Sequence, residues 1–334
     1  MNKNYITLSI SSKDLGKRID ILLTEKIKEL SRNQIIKLIQ NKHIKYNDIT
    51  VSVQSTKVKE QGIITITIPS PDSIDVQPQK IDLSIVYEDN SIIVINKPAG
   101  MVVHPGAGIN KNTMVNALLY HCKDNLSAIG GKIRPGIVHR IDKMTTGLVV
   151  VAKNDFSHQS LVNQFQSRKI KRKYEALVWN NLAKNIGIIE TFIGRSSTNR
   201  KKMAVTDDKR GRESVTNYRL VKKFVINDTL ISHCECNLQT GRTHQIRVHM
   251  KHIGNPLIGD NVYCNQKLLK KNIPENISQK IYDHFVKIGR HALHAKTIGF
   301  VHPVTKKTMY FDSELPRDME ILINSINSYK KVNL

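Results

Sequence analysis

The chain has 334 residues, 40% of them hydrophobic, with 52 Lys and Arg against 28 Asp and Glu. A formal charge of +24 and a pI near 9.8 point to a polyanionic partner, either nucleic acid or an anionic membrane surface. Met1 to Ser12 lacks a hydrophobic signal core and no apolar run approaches the ~20 residues of a spanning helix, so the expectation is a soluble cytoplasmic protein with no membrane partner.

Cys122, Cys234, Cys236 and Cys264 are too few and too scattered for a disulfide framework. Cys234 and Cys236 lie two apart in a strand-like run, which puts both on one face, where packing is the expected role.

In chain order, Ile19, Leu22, Leu23, Ile27 and Leu30 mark a helix over 18–30. Ser31 with Gln34 three residues on predicts a capping box opening a second helix, whose buried face is Ile35, Ile36, Leu38 and Ile39. Short strands follow at 43–46 and 51–53 around the turn-forming Asn47-Asp48, and another at 63–68 is closed by Pro69. These elements make a compact module over residues 1–75 with Arg32, Lys37 and Lys42 as candidate RNA contacts. The polar, proline-bearing run from Ser70 to Pro78 leads through it into a linker at 76–85. A larger domain is expected over 86–325, with a tail at 326–334.

The larger domain opens with a strand pair over 85–96, broken at Glu88-Asp89-Asn90. The clusters N-K-P-A-G at 96–100 and H-P-G-A-G at 104–108 fit neither a P-loop nor a dinucleotide fingerprint, and read as turn-forming loops. Helices are predicted at 113–121 and from Asn154 or Asp155 to about Arg168, the second packing through Phe156, Leu161, Val162 and Phe165. Between them Leu148 to Ala152 reads as a strand buried on both faces. At its mouth stands Asp142, between Arg140 and Lys143. A carboxylate on a loop held by a core strand is a first candidate for chemistry, with a surface ion pair as the competing reading.

From Arg168 to Lys223 there are 16 Lys or Arg against 5 Asp or Glu, including Arg200, Lys201 and Lys202. Phosphate contact is the natural use of such a tract. Within it Lys173 to Trp179 alternates as a strand with Tyr174, Ala176 and Val178 on one face, so Tyr174 is either a core residue or a base-facing one. Thr240 to Gly254 predicts a helix with an apolar face of Ile246, Met250 and Ile253. His244, Arg247 and Lys251 form a cationic face, and Arg242 and His244 are further candidate RNA contacts. His244, His249, His252, His291 and His294 lack metal-ligand spacing and clustered carboxylates, so no metal site is expected.

Taken together, H-R-I-D with T-T-G-L-V-V-V-A-K, K-R-K-Y-E-A-L-V, T-G-R-T-H-Q-I-R-V-H, N-K-P-A-G and H-P-G-A-G closely resemble the RluA family of RNA pseudouridine synthases, over nearly the whole chain. The small module resembles the alpha-L RNA-binding motif. The family implies an α+β fold, with a mostly antiparallel mixed sheet and flanking helices. It implies a cofactor-free isomerisation of uridine to pseudouridine in large-subunit ribosomal RNA or a pre-ribosomal particle, by a monomer.

By this resemblance Asp142 is the nucleophile or attacking base. Arg247 is its ion-pairing partner, and Tyr174 stacks on the flipped uracil. A carboxylate nucleophile has to be ionised, an apolar base pocket disfavours the charge, and an adjacent cation reverses that. Arg140 is placed to fill the vacated stack or hold a phosphate. Ile141, Met144 and Cys264 depart from the usual leucine, acid and glycine. Two other classes are a non-catalytic RNA-binding assembly factor and a metal-dependent hydrolase.

Overall fold

The computed structural model describes residues 4–27, 29–68, 76–106, 108–123, 125–131, 133–199, 202–207, 210–264 and 273–332. The chain divides into two compact units, Met1–Ile74 and Asp75–Leu334.

In the first unit, helices α1 (Ile19–Lys26) and α2 (Arg32–Gln40) pack on a four-stranded antiparallel sheet. Its order is β1 (Asn4–Ile10), β4 (Gly62–Ile68), β2 (Ile44–Tyr46), β3 (Ile49–Thr50). The capping box is present: Ser31 Oγ accepts from Gln34 N, and Gln34 Oε1 accepts from Ser31 N. Asn47 and Asp48 both take positive φ, 48° and 62°, as a tight hairpin turn requires. Strand β1 was not expected, although Tyr5, Thr7 and Ser9 alternate with Ile6, Leu8 and Ile10 at a strand period. The first helix is shorter than expected, ending at Lys26.

The second unit is built on a ten-stranded sheet. In chain order its strands are β5 (Ile85–Glu88), β6 (Ile92–Lys97), β7 (Thr146–Ala152), β8 (Lys171–Trp179), β9 (Ile186–Arg195), β10 (Met203–Thr206), β11 (Arg212–Ile226), β12 (Thr229–Leu238), β13 (Leu293–Val301) and β14 (Thr308–Asp312). Their spatial order is β10-β9-β11-β12-β8-β13-β7-β6-β5, with β14 beside β13. Every pairing is antiparallel except β13 with β7, which gives the expected mixed sheet. The helices are α3 (Met114–Cys122), α4 (Asp155–Gln166), α5 (Gln245–His252), α6 (Glu275–Ile281) and α7 (Arg317–Val332).

The alternation of β8 divides the core. Tyr174, Ala176 and Val178 join α3, α5, Cys234 and Cys236 on one face, while Leu177 and Trp179 join α6 and α7 on the other. All seven residues of β7 are buried, as a strand covered on both sides must be. The basic tract folds into the antiparallel ladder of β9, β10 and β11.

Some boundaries differ from the sequence reading. Asn154, rather than Asp155, caps α4, accepting from Ser157 N at 2.9 Å. Phe156 does not pack inward; it is 60% exposed beneath Lys306, because the second position of α4 faces away from the sheet. The segment read as a linker runs along the second unit: Gln79 N donates to Asn116 O, and Asn116 Nδ2 to Gln77 O. Residues 326–332 continue α7, with Ile326 buried. Pro69 and the rest of 69–75 lie outside the described residues.

Three fully buried histidines are structural. His249 bonds the hydroxyls of Thr216 and Thr191, His294 those of Thr146 and Ser313, and His291 that of Thr145. Burial pulls His249 and His294 down to about 4 and His291 well below its ordinary value. Unfolded histidines take up protons near pH 6.5 and these do not, so their contribution is complete above that pH and is lost as pH falls toward 4. Urea denaturation between pH 7 and 5 is therefore expected to show stability falling by about 1.4 kcal/mol per pH unit for each such proton. His249→Gln should reduce that slope by about one proton.

Candidate active site

Asp142 sits on the loop that feeds β7, and the carbonyls of that loop are held partly within its own turn and partly from outside. Asp142 O accepts from Thr145 N at 3.0 Å, closing a tight turn. The Lys143 carbonyl accepts from Gly100 N and from Lys97 Nζ, and the Met144 carbonyl from Arg290 Nη1 at 2.8 Å. Thr145 Oγ1 bonds His291 Nε2 at 2.7 Å. The loop enters the strand at Gly147, where φ is +111° and a Cβ would stand 2.3 Å from Ala295 O. Only glycine permits β7 and β13 to approach this closely.

Lys97 has no exposed surface, and its Nζ donates to the carbonyls of Pro98, Met101 and Lys143. Burial, followed by repulsion from Arg290, lowers its ammonium to about 7, and the Asp142 carboxylate pulls it back up. The three carbonyls also favour the charged form. Arg290, equally buried, donates to the carbonyls of Met144 and Leu293 and to Thr146 Oγ1, and pairs with Asp318 on α7 at 3.0 Å.

Opposite the loop stands α5. His244, in the left-handed conformation (φ 58°), ends the preceding turn, so the helix begins five residues later than the sequence predicted. The buried Gln245 amide satisfies that turn: its Oε1 accepts from Thr240 Oγ1 and Arg242 N, and its Nε2 donates to Val215 O and Thr216 Oγ1. Two residues on, Arg247 points back across the cleft. Its Nη1 donates to Asp142 Oδ2 at 2.9 Å, while Nε and Nη2 grip Asp260 at 2.7 and 2.9 Å. Asp260 Oδ1 accepts further from Val262 N and Tyr263 N. The Tyr263 ring lies 5.0 Å from the guanidinium. The Asp260 pair and the Asp142 charge keep the Arg247 guanidinium firmly protonated despite its burial.

Tyr174 rises from β8 into the same space. Burial pushes its phenol up, Arg172 opposes this and Asp142 adds to it, so the ring presents a neutral hydroxyl. The cleft has a volume of about 450 Å³, with Asp142, Arg247, Tyr174, Phe165 and Leu293 in its walls, a size suited to a small planar group.

The chain matches the family model for RNA pseudouridylate synthase over residues 91–252. It is 43% identical to the Zymomonas mobilis protein named ribosomal large subunit pseudouridine synthase D, over 96% of each chain. It is 41% identical to a Bacillus subtilis protein named uncharacterized RNA pseudouridine synthase YlyB, over 97% of this chain and 98% of the other. Among solved structures, human RNA pseudouridylate synthase domain containing 4 shares the fold, with a TM-score of 0.55 at 23% identity over 74% of this chain and 93% of the other.

The chain belongs to the RluA family of RNA pseudouridine synthases. It is an isomerase.

Of the residues singled out in the sequence, Asp142, Tyr174, Arg247, Arg140, Arg242 and His244 all line this one cleft. His244 Nε2 lies 3.9 Å from Asp142 Oδ2, and its Nδ1 bonds the Tyr263 hydroxyl. Arg140 is exposed at the rim and donates to His104 Nε2, and Lys143 is exposed on the loop. Arg242 donates to Glu213 O. Lys202 turns inward to Val262 O, so it is half-buried and not presented as a free cation; Arg200 and Lys201 lie outside the described residues. In the first unit Arg32, Lys37 and Lys42 are exposed, and Arg32 pairs with the buried Asp20 at 2.8 Å. Lys97, Arg290 and Asp260 escaped sequence reasoning. Asp260 had a signal in G-D-N-V-Y-C, where an acid follows a glycine close to the helix that carries Arg247.

Among the described residues, the group with metal-ligand atoms in reach of one another is Glu88, His121 and Cys122. There Lys153 and His121 already occupy the two Glu88 oxygens.

Removing Asp260 leaves a buried guanidinium with half its partners. Asp260→Ala is expected to destabilise the protein by about 3–5 kcal/mol and to depress turnover. Asp142→Asn, at the open end of the same chain of charges, should change stability by less than about 1 kcal/mol. Urea denaturation of both variants checks the ordering.

Proposed function

We infer that the synthase isomerises uridines of large-subunit ribosomal RNA, with Asp142 as the attacking group. The observation that carries this reading is the Asp142 carboxylate, held by a buried arginine on the wall of a cleft that also presents a tyrosine face. The names of several relatives about 40% identical over nearly the full chain support the ribosomal substrate.

In this reading a target uridine is extruded from its stack and enters the cleft, at a cost of a few kcal/mol. The uracil packs against Tyr174. Asp142 acts at the anomeric carbon as nucleophile or as a base by a glycal route, and the glycosidic bond from ribose to nitrogen-1 breaks with its electron pair going to the uracil. The base turns and carbon-5 is joined to the ribose, which releases Asp142 from its bond to the sugar or returns the proton it took; carbon-5 then loses its proton and nitrogen-1 gains one. Arg247 keeps the carboxylate aimed. A neutral phenol suits Tyr174 to stacking and hydrogen bonding. The chemistry asks for no cofactor or metal, because the carboxylate supplies the nucleophile.

Arg140 at the rim is the group placed to fill the vacated stack, and Lys143 and Arg242 to meet phosphates. Arg32, Lys37 and Lys42 fit an alpha-L type RNA surface on the first unit, preceding a catalytic domain over 86–325. Arg200, Lys201 and Lys202 remain candidates for the phosphate backbone, although Lys202 is half-buried against Val262 O. The setting is a cytoplasmic monomer that supports ribosome maturation.

Chemical mapping of pseudouridine in large-subunit RNA incubated with the purified protein tests this. Wild type should install the base, and Asp142→Asn should fall to background while still binding RNA. Modification by Asp142→Asn would overturn the mechanism. Equal rescue of growth by that variant would favour a non-catalytic assembly role. Arg140→Ala and Lys143→Ala should each flatten the salt dependence of RNA affinity by about 0.7–0.9 in the log–log slope if they meet phosphates.

A further inference from the structure

The cleft continues beyond Tyr174. Arg168, Arg172, Leu238 and Gln239 line it and also line a second cavity of about 390 Å³. The floor of that cavity is the opposite face of the sheet, where Lys171 and Lys173 project from β8. Tyr310 pairs with Gly299, and Gly299 with Lys171. With no side chain at Gly299 the floor is low, and the Tyr310 ring leans over it: a Cβ on Gly299 would meet Tyr310 Cδ2 at 3.0 Å. The ring is 59% exposed. In the next row Lys173 pairs with Asn237, and Asn237 with Asn217.

The polar groups here are unusually free. The side-chain amides of Asn217, Asn237 and Gln239 make no hydrogen bond among the described residues. The nearby carboxylates are already matched: Glu235 by Lys173 and Arg219, Glu213 by Arg168, Asp312 by Lys296. Lys171 and Arg172 have no carboxylate partner among the described residues. Arg172 lies over the Phe165 ring at 5.4 Å, and its Nε is buried without an acceptor at the junction of the two cavities.

An exposed ring, three unpartnered amides and two cations without carboxylate partners match the face of a base, its edge and a phosphate. A base stacks on an aromatic face, its edge bonds to amides, and its phosphate meets cations. We propose that this cavity is a subsite for a nucleotide flanking the target uridine in the same RNA strand. Tyr310 stacks on the flanking base, Asn217, Asn237 and Gln239 bond its edge, and Lys171 and Arg172 hold the phosphate that joins it to the flipped residue. The subsite selects sequence around the target, whereas the Asp142 cleft selects uridine. The proposal rests on the reading of that cleft as the uridine pocket.

The test uses the full chain and RNA transcripts carrying the target uridine, with one abasic residue placed in turn at each of the three positions on either side. For wild type, one abasic position should raise KM about tenfold with kcat little changed, the scale of one lost base stack. In Tyr310→Ala, whose exposed site does not threaten folding, KM should start about tenfold higher, and the same abasic position should add nothing. Asn237→Ala should reduce discrimination between bases at that position.

Wild type insensitive to every abasic position, or losses that multiply in Tyr310→Ala, would overturn the subsite. A 2-aminopurine base at that position separates this outcome from failure of the uridine pocket. Quenching on binding to wild type that is lost in Tyr310→Ala supports the subsite whether or not turnover occurs, and equal fluorescence in both overturns it.

Discussion

The arrangement of this enzyme turns on one cation shared by two carboxylates. Arg247 holds Asp260 with two nitrogens and Asp142 with the third, and both Arg247 and Asp260 are shut away from water. An arginine buried against one exposed carboxylate would sacrifice solvation for a weak return. Asp260, itself fixed by two backbone amides, supplies the stabilisation that keeps the guanidinium in place. Asp142 can then be the replaceable partner, open to the cleft. A division between a structural carboxylate and an accessible one follows from burial alone.

The same logic runs through the loop that carries Asp142. Loop carbonyls at a site from which water must be expelled need donors, and here the donors are buried cations in place of water: Lys97 for residues 98, 101 and 143, and Arg290 for residues 144 and 293. A lysine ammonium can serve three carbonyls at once, and a guanidinium can bridge a loop, a strand and the acid of a helix. The carboxylate is therefore positioned by two points of convergence in the chain, each drawing together segments far apart in sequence. Rigidity of this kind suits an attack that depends on near-contact geometry.

How much of this was legible depended on whether a signal was local. Asp142, Tyr174 and Arg247 were legible because each sits in a run with its own period or turn: the apolar strand after Gly147, the alternation of β8, the 3.6-residue stripe of α5. The two-faced burial of β7 and the capping box at Ser31 follow from spacing for the same reason. Arg290 was not legible, because its role exists only when Met144 and Thr146, more than a hundred positions away, arrive beside it. Asp260 is only 13 residues from Arg247, but its run G-D-N-V-Y-C does not say which cation it meets. Lys97 stood inside a quoted motif, yet nothing in N-K-P-A-G says that its ammonium turns inward. The late start of α5 reflects the Gln245 amide, whose four hydrogen bonds within the turn and to β11 outweigh the helical propensity of the preceding residues. Phe156 was misplaced because a hydrophobic residue at the start of a helix says little about which side the sheet will be on.

The net charge of +24 is a poor guide to where RNA goes, and the structure shows why. Some cations, such as Lys97, Arg290 and Arg247, are buried to hold loops together. Others, including Arg32, Lys153, Arg168, Lys173 and Arg219, are tied to carboxylates at 2.6 to 3.1 Å. Exposed pairs of that kind contribute little to stability and cancel much of each other's field. Among the described residues, what remains without a matched carboxylate near the cleft includes a short arc: Arg140 and Lys143 on the loop of Asp142, Arg242 before α5, and Arg172 and Lys171 where β8 begins. An arc of unpaired charges can track a strand of phosphates past a single opening, and a uniformly basic surface could not. The local excess of positive charge is set by the absence of carboxylates at those places, and it can be read only from which cations the fold leaves unmatched.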